Sequence, residues 1–193
     1  MKKPLLAIIL AVVILFGASL GLKGIAQKNA QETHVWLMQT LLPGSETFTL
    51  ESYAGDDENI RSVHKGETGY VIETVTQGYA DEIRMLTGVN FDGSVTGVVV
   101  LEAHETFGLG SKALSDHVFL SQFLNGSGTF TVETAGADAF SGATGTTQTE
   151  DGTGIDAITG ATVTSKAVAR CVNSAVAYVT GADTSSGATS WGG

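Results

Sequence analysis

A single cysteine, two prolines and ten basic residues are all that a chain of 193 contains of these types. Cys171 alone excludes an internal disulfide framework and any cysteine-rich zinc or iron–sulfur site. It also lies too far from the start to serve as an N-terminal lipoprotein anchor. The four histidines, at positions 34, 64, 104 and 117, include no pair spaced i, i+4, so the common helical zinc motif is missing. Ten Lys and Arg against twenty Asp and Glu give a net charge of −10, and nucleic acid is not a partner, because phosphate backbones need a basic patch. No G-x-S-x-G elbow, no P-loop spacing and no G-x-G-x-x-G after a strand is present, which removes the usual hydrolase, nucleotide and nicotinamide fingerprints. Glycine is abundant instead, at 25 residues, close to twice its ordinary share. The mean hydropathy of +0.18 is high for such a chain, and its source is local.

That source is the N-terminus. Leu5 to Leu22 is an uncharged run of 18 residues, about 27 Å as a helix, which just spans a bilayer core. It predicts an uncleaved anchor within residues 1–28. The alternative is a signal peptide cut before Gln27, after the small residues Gly24 and Ala26. Beyond residue 28 the chain carries six basic and all twenty acidic residues, a net of −14 that suits export. The expected location is the cytoplasmic (inner) membrane, single-pass, with residues 29–181 as one extracytoplasmic domain and 182–193 as a flexible tail.

The remaining pattern reads as α+β: an antiparallel sheet with flanking helices. Residues 29–42 suit a helix with Val35, Leu37, Met38, Leu41 and Leu42 inward, ended by Pro43 and Gly44. Residues 45–66 read as loop. Tyr70–Thr76 reads as a strand, and Gly78-Tyr79-Ala80 as a turn. Glu82–Phe91 and Ser94–Ala103 form a hairpin around the Asp92-Gly93 pair. Its second strand is almost wholly apolar and is expected to be central. Residues 126–164, rich in Gly and Thr, are a long loop or a site. Ser165–Val179 has helical spacing, with Gly181 as its C-cap.

Within this frame one pattern, Asp-x-x-[Ser/Thr]-Gly-Ala-Thr, occurs three times: Asp138–Thr144, Asp156–Thr162 and Asp183–Thr189. Only the second opens an amphipathic helix. A helix N-terminus has unpaired N–H groups and a partial positive charge, and is a ready phosphate site. Gly160 allows close backbone approach and Ala161 is small. Thr162 presents a hydroxyl there, with Thr159, Thr164 and Ser165 beside it. The segment can hold a phosphate or be esterified by one. Plain helix capping by Thr162 or Thr164 explains the same residues. A second island, His104-Glu105-Thr106-Phe107-Gly108-Leu109-Gly110, follows the apolar strand, a common place for a site.

Together, GYADEIRMLTGVNFDGSVTGVVVLEAHETFGLG at 78–110 and DAITGATVTSKAV at 156–168 resemble the covalent-FMN subunits of bacterial respiratory complexes. These are the G subunit of the Rnf electron-transport complex and the C subunit of the sodium-pumping NADH:quinone oxidoreductase, and the resemblance is nearer to the former. The N-terminal anchor and LLPG at 41–44 extend it. It implies an FMN-binding domain in which a flavin transferase, with FAD as donor, joins FMN by a phosphoester to Thr162, with Asp156 as the motif acid. It implies that Glu105, Thr106, Gly108, Leu109 and Gly110 line the isoalloxazine ring, beside Thr159, Gly160, Ala161, Thr164 and Ser165 around the phosphate. Two departures stand out. Phe107 replaces the usual proline, and the additional motifs leave Thr144 and Thr189 as further candidate attachment points.

The implied function is electron relay within a membrane-bound, ion-translocating ferredoxin:NAD⁺ oxidoreductase, alongside other membrane subunits. No ligand set for a second cofactor is visible, so the domain is a redox subunit and not a complete enzyme. The alternatives are a stand-alone anchored flavoprotein passing electrons to extracytoplasmic acceptors, and a binding module without cofactor. A hydrolase lacks any visible nucleophile–base pair.

Overall fold

The structure is a computed structural model, and it describes residues 32–106, 110–133, 147–149 and 152–182. The N-terminal apolar run, residues 107–109, residues 183–193 and the motifs ending at Thr144 and Thr189 lie outside the described residues. Among the described residues no helix is long and apolar enough to cross a membrane. The chain divides into two compact units, Met1–Leu37 and Met38–Gly193. Of the first, residues 32–37 are described; they are helical, with Val35 and Trp36 exposed. Helical spacing places Val35 inward, and the structure does not.

The second unit begins with the end of that helix, α1 (residues 32–41). Five strands follow: β1 (Thr49–Glu51), β2 (Ile60–Lys65), β3 (Gly69–Gln77), β4 (Glu82–Asn90) and β5 (Val95–Ala103). They form one antiparallel meander in the order β1-β2-β3-β4-β5. The first two strands fall where the sequence reads as loop. Strand β2 hides its alternation behind a register shift between Ile60 and Ser62, so its two buried residues, Ile60 and Val63, are three apart instead of two. Strand β5 is the last in the sheet order and not central, and Val98, Val99, Val100 and Leu101 are only half-buried. An apolar run reports burial of side chains, and here partial cover on each face supplied that signal without a second neighbouring strand.

The β4–β5 hairpin forms as predicted, with a different turn. Gly93 N–H donates to Asn90 O at 2.9 Å, Asn90 N–H donates to Ser94 O at 2.9 Å, and Gly93 alone of the turn has positive φ, +86°. This is a three-residue loop with glycine in the bulge position, not a two-residue turn on Asp92-Gly93. Asp92 instead accepts from Ser94 N–H and Ser94 Oγ.

After β5 come two short helices, α2 (Gly110–Ser115) and α3 (His117–Ser121), and then β6 (Thr129–Glu133), β7 (Thr147–Thr149), β8 (Gly152–Asp156) and α4 (Thr162–Thr180). The Gly/Thr-rich stretch is therefore partly sheet. β8 lies between β6 and β7, parallel to β6 and antiparallel to β7, so the expected antiparallel architecture holds for the main sheet only. Helix α4 starts three residues earlier than its apolar spacing shows, and ends at Gly181 with φ +69°.

Alternate residues of the main sheet face α4. Ile72, Ile83, Met85 and Val89 join Ala167, Val168, Cys171, Val172 and Ala175 in one core, extended by Phe119, Phe123 and Phe130. Burial pushes the Cys171 thiol up to about 11. Asn173 fastens β6 to α4, since its amide accepts from Phe130 N–H at 2.8 Å and donates to Phe130 O at 3.0 Å. On the opposite face, Leu41 lies over the paired glycines Gly88 and Gly97, and its carbonyl accepts from Thr96 Oγ1.

Candidate functional site

The site is built at the start of α4. β8 ends at Asp156, and Gln122 holds that backbone from the side. Asp156 N–H donates to Gln122 Oε1 at 2.8 Å, and Gln122 Nε2 donates to Asp156 O at 3.3 Å. Residues 158–161 then make a tight turn. Ala161 N–H donates to Ile158 O at 2.9 Å, and Gly160 sits at the third position with φ +80°. A side chain there would be strained, which is why glycine fits the motif.

Ser165 stitches this turn to the helix. Its buried hydroxyl accepts from Ile158 N–H at 3.2 Å and donates to Ala161 O at 3.0 Å. The first backbone bond of α4 runs from Ser165 N–H to Ala161 O. The N–H groups of Thr162, Val163 and Thr164 are thus the orphan donors of the helix start. The N-cap is Ala161, with no side-chain cap and no acidic residue in the first turn. Capping by Thr162 or Thr164, one of the two explanations for these residues, is not what the structure contains. Thr164 is buried and donates to Glu105 Oε2 at 3.0 Å. Thr162 is half-buried, and its hydroxyl makes no hydrogen bond among the described residues.

A cavity of about 360 Å³ opens beside Thr162. It is lined by Tyr79, Glu105, Thr106, Gly110, Gly160, Ala161, Thr162, Val163 and Thr164. The two sequence islands, far apart along the chain, meet here. Asp156, Thr159 and Ser165 flank the wall without lining it. Gly108 and Leu109, with Phe107, lie outside the described residues. Tyr79 and Val163 are lining residues that the motifs do not single out. Tyr79 is 68% exposed in the β3–β4 turn, and an aromatic beside glycine in a predicted turn is the available signal. Gln122 leaves no such signal, because its role depends on the approach of β8.

The cavity wall is largely carbon, broken by the Glu105 carboxylate and threonine hydroxyls, and it ends at N–H donors that have no partner among the described residues, under a positive helix end. Those features fit a planar aromatic group held through an anionic tail. Farther out, the exposed His104 and Asp81 pair at 3.8 Å. Arg170 of α4 donates to Gln77 O at 2.8 Å, which fixes the end of β3 directly before the Gly78 turn.

Comparison with known proteins gives a family match, described as FMN-binding domain, over residues 78–177. The G subunit of the Na(+)-translocating ferredoxin:NAD(+) oxidoreductase complex of Acetobacterium woodii is 48% identical over 46 residues, 23% of this chain and 22% of that protein. The G subunit of the ion-translocating oxidoreductase complex of Erwinia tasmaniensis is 42% identical over 80 residues, 37% of this chain and 38% of that protein. The matches therefore span well under half the length of these relatives. Among solved structures, NqrC of Shewanella oneidensis has a TM-score of 0.48 and 20% identity, covering 75% of this chain and 73% of its own.

Proposed function

The chain belongs to the FMN-binding domain family, and from that premise we propose that it carries FMN covalently on Thr162 and relays electrons as one subunit of an ion-translocating oxidoreductase of the Rnf type. The observation that carries this reading is Thr162 itself. Its hydroxyl makes no hydrogen bond among the described residues, and it stands at the uncapped start of α4 in the wall of a cavity that the second sequence island also lines.

The attachment is an esterification. Thr162 Oγ1 would take the FMN phosphoryl group from FAD as the pyrophosphate bond breaks and AMP leaves, with its own proton passing to solvent or to a base of the transferase. The N–H groups of Thr162, Val163 and Thr164, at the favourable end of the helix dipole, would hold the phosphate. Gly160 leaves room for it, and Ser165 keeps the turn closed. Bound there, FMN supplies one- and two-electron transfer. Tyr79, Val163, Thr106 and Gly110 would supply the walls that orient it. Covalent tethering keeps the group from diffusing away, which matters most outside the cytoplasm, and residues 1–28 are proposed as the anchor that holds the domain at that face of the cytoplasmic membrane. The partners on this reading are the other membrane subunits and the flavin transferase.

The test is intact mass of the full chain, denatured after co-expression with a flavin transferase. One increment of FMN less water, absent in Thr162→Ala, supports the proposal. An increment that survives Thr162→Ala places the linkage elsewhere, with Thr144 and Thr189 as the next sites to examine. No increment at all returns the chain to a binding role.

A further inference from the structure

Both oxygens of Glu105, a residue that lines the cavity, are engaged by the protein itself. Oε2 accepts from Thr164 Oγ1 at 3.0 Å, and Oε1 accepts from Ala80 N–H at 3.3 Å. The space around them is reserved. A Cβ added to Gly78 would lie 2.0 Å from Oε1, and one added to Gly110 would lie 2.5 Å from Oε2 and 2.9 Å from Thr164 Oγ1. Three separate pieces of chain converge on this one carboxylate: the β3–β4 turn, Gly110 at the start of α2, and the first turn of α4. The first carries Tyr79 and the last carries Thr162, and both line the cavity.

We propose that Glu105 is a positioning residue, a clasp that holds the start of α4 against the Gly78–Ala80 turn and so sets the spacing between the Thr162 hydroxyl and the Tyr79 wall. The inference rests on the Thr162 attachment reading. The chemistry of the clasp is specific. Ala80 N–H can only donate, so its partner must accept. Thr164 can donate or, with its hydroxyl rotated, accept. A glutamine therefore satisfies both ends, its Oε1 on Ala80 and its Nε2 on Thr164, whereas alanine satisfies neither. What the clasp requires is a branched planar group of this length, not its negative charge. Arg170, which holds the end of β3 to α4 one residue before Gly78, leaves the turn itself to Glu105.

The experiment measures the initial rate of flavin attachment to the full chain by a flavin transferase with FAD, read as intact mass. Glu105→Ala and Thr164→Val are each expected to slow attachment about tenfold or more, the factor for losing a hydrogen bond to a charged group. The double variant is expected to be no slower than Glu105→Ala, because both changes break one unit. Glu105→Gln is expected to restore attachment to within about threefold of the parent, as a clasp of two hydrogen bonds predicts. Protection of the buried Cys171 from thiol alkylation confirms that each variant is folded. If Glu105→Ala does not fold, Thr164→Val and Glu105→Gln carry the test. Attachment as slow in Glu105→Gln as in Glu105→Ala would overturn the clasp in favour of charge. Parental rates in Thr164→Val, or independent losses that multiply in the double variant, would overturn it as well. Failure of the underlying reading looks different: the parent would take no flavin, or Thr162→Ala would keep it.

Discussion

Gly88→Ala is the most demanding test of how the Met38–Leu42 segment is seated on the sheet. Gly88 and Gly97 pair across β4 and β5, and neither has positive φ, so the backbone itself would accept alanine. The obstacle is space. A Cβ on Gly88 would lie 2.2 Å from the Leu41 carbonyl oxygen, 2.7 Å from Thr96 Oγ1 and 2.8 Å from the Leu41 carbonyl carbon. Two of those three atoms are backbone and cannot rotate away. Leu41 must lift, and the hydrogen bond from Thr96 goes with it. Overpacking costs about 1–3 kcal/mol, the lost bond about 1 kcal/mol, and the stiffer unfolded chain returns about 0.4–1 kcal/mol. The net loss is about 1–3.6 kcal/mol, or roughly 2–14 °C in Tm for a domain of this size. Gly97→Ala is the control. Its nearest neighbour is Leu41 Cδ2 at 2.8 Å, the end of a side chain that can turn, with backbone no closer than 3.2 Å. It should cost about 1 kcal/mol or less. Urea unfolding of the full chain in detergent, followed by circular dichroism, gives both numbers. A loss under about 0.5 kcal/mol for Gly88→Ala, or a larger loss for Gly97→Ala, would refute the notch.

Two further outcomes follow from the packing. Tyr178 donates to Glu51 Oε2 at 3.2 Å, and burial first, then Glu51, pushes its hydroxyl up to about 12 from 10.0. A folded value above the unfolded one means stability that is whole below about pH 10 and is lost as pH climbs towards 12. The urea midpoint should fall across that window in the parent and fall less in Tyr178→Phe; equal slopes would remove Tyr178 as the cause. Gln122→Ala strips the side-chain partners from the Asp156 N–H and C=O, at a cost of about 1–3 kcal/mol. Amide hydrogen exchange at Asp156 should accelerate well beyond the global change, and continued protection there would mean that β8 is held by something else.

Helix α4 and the β3–β4–β5 meander are legible in the sequence because each signal is local. Residues 165–179 repeat at helical spacing above a glycine, and β3 is rich in β-branched residues. The same localness explains the failures. The Asp92-Gly93 pair alone suggests a two-residue turn, whereas the hydrogen bonds of Asn90 on either side choose a longer loop. Strand β8, Gly-Thr-Gly-Ile-Asp, sets only two strand formers, Thr153 and Ile155, among two glycines and an aspartate, a weak signal. It exists because β6 and β7 pair with it and because Gln122 and Thr153 fix it from outside, Thr153 through a bond to Ser127 O at 3.2 Å. The two site islands stand out because motifs are local too. Their convergence, and the membership of Tyr79 and Gln122, do not, since those depend on residues dozens of positions away.

The sequence by itself determined that this chain is acidic, carries no metal or disulfide framework of cysteine, opens one amphipathic helix with a Gly-Ala-Thr turn, and bears the motifs of the FMN-binding domain family. Composition and short-range periodicity suffice for the first three, and two short motifs for the last. The tertiary structure decided that Thr162 starts the helix uncapped, that Thr164 answers to Glu105 and not to its own helix, that Ser165 closes the turn, and that β5 lies at the sheet edge. Each of those outcomes is a choice between partners that a side chain could equally well have found nearby. Only the packing of α4 across the sheet, which brings residue 164 to residue 105 and residue 170 to residue 77, removes the alternatives.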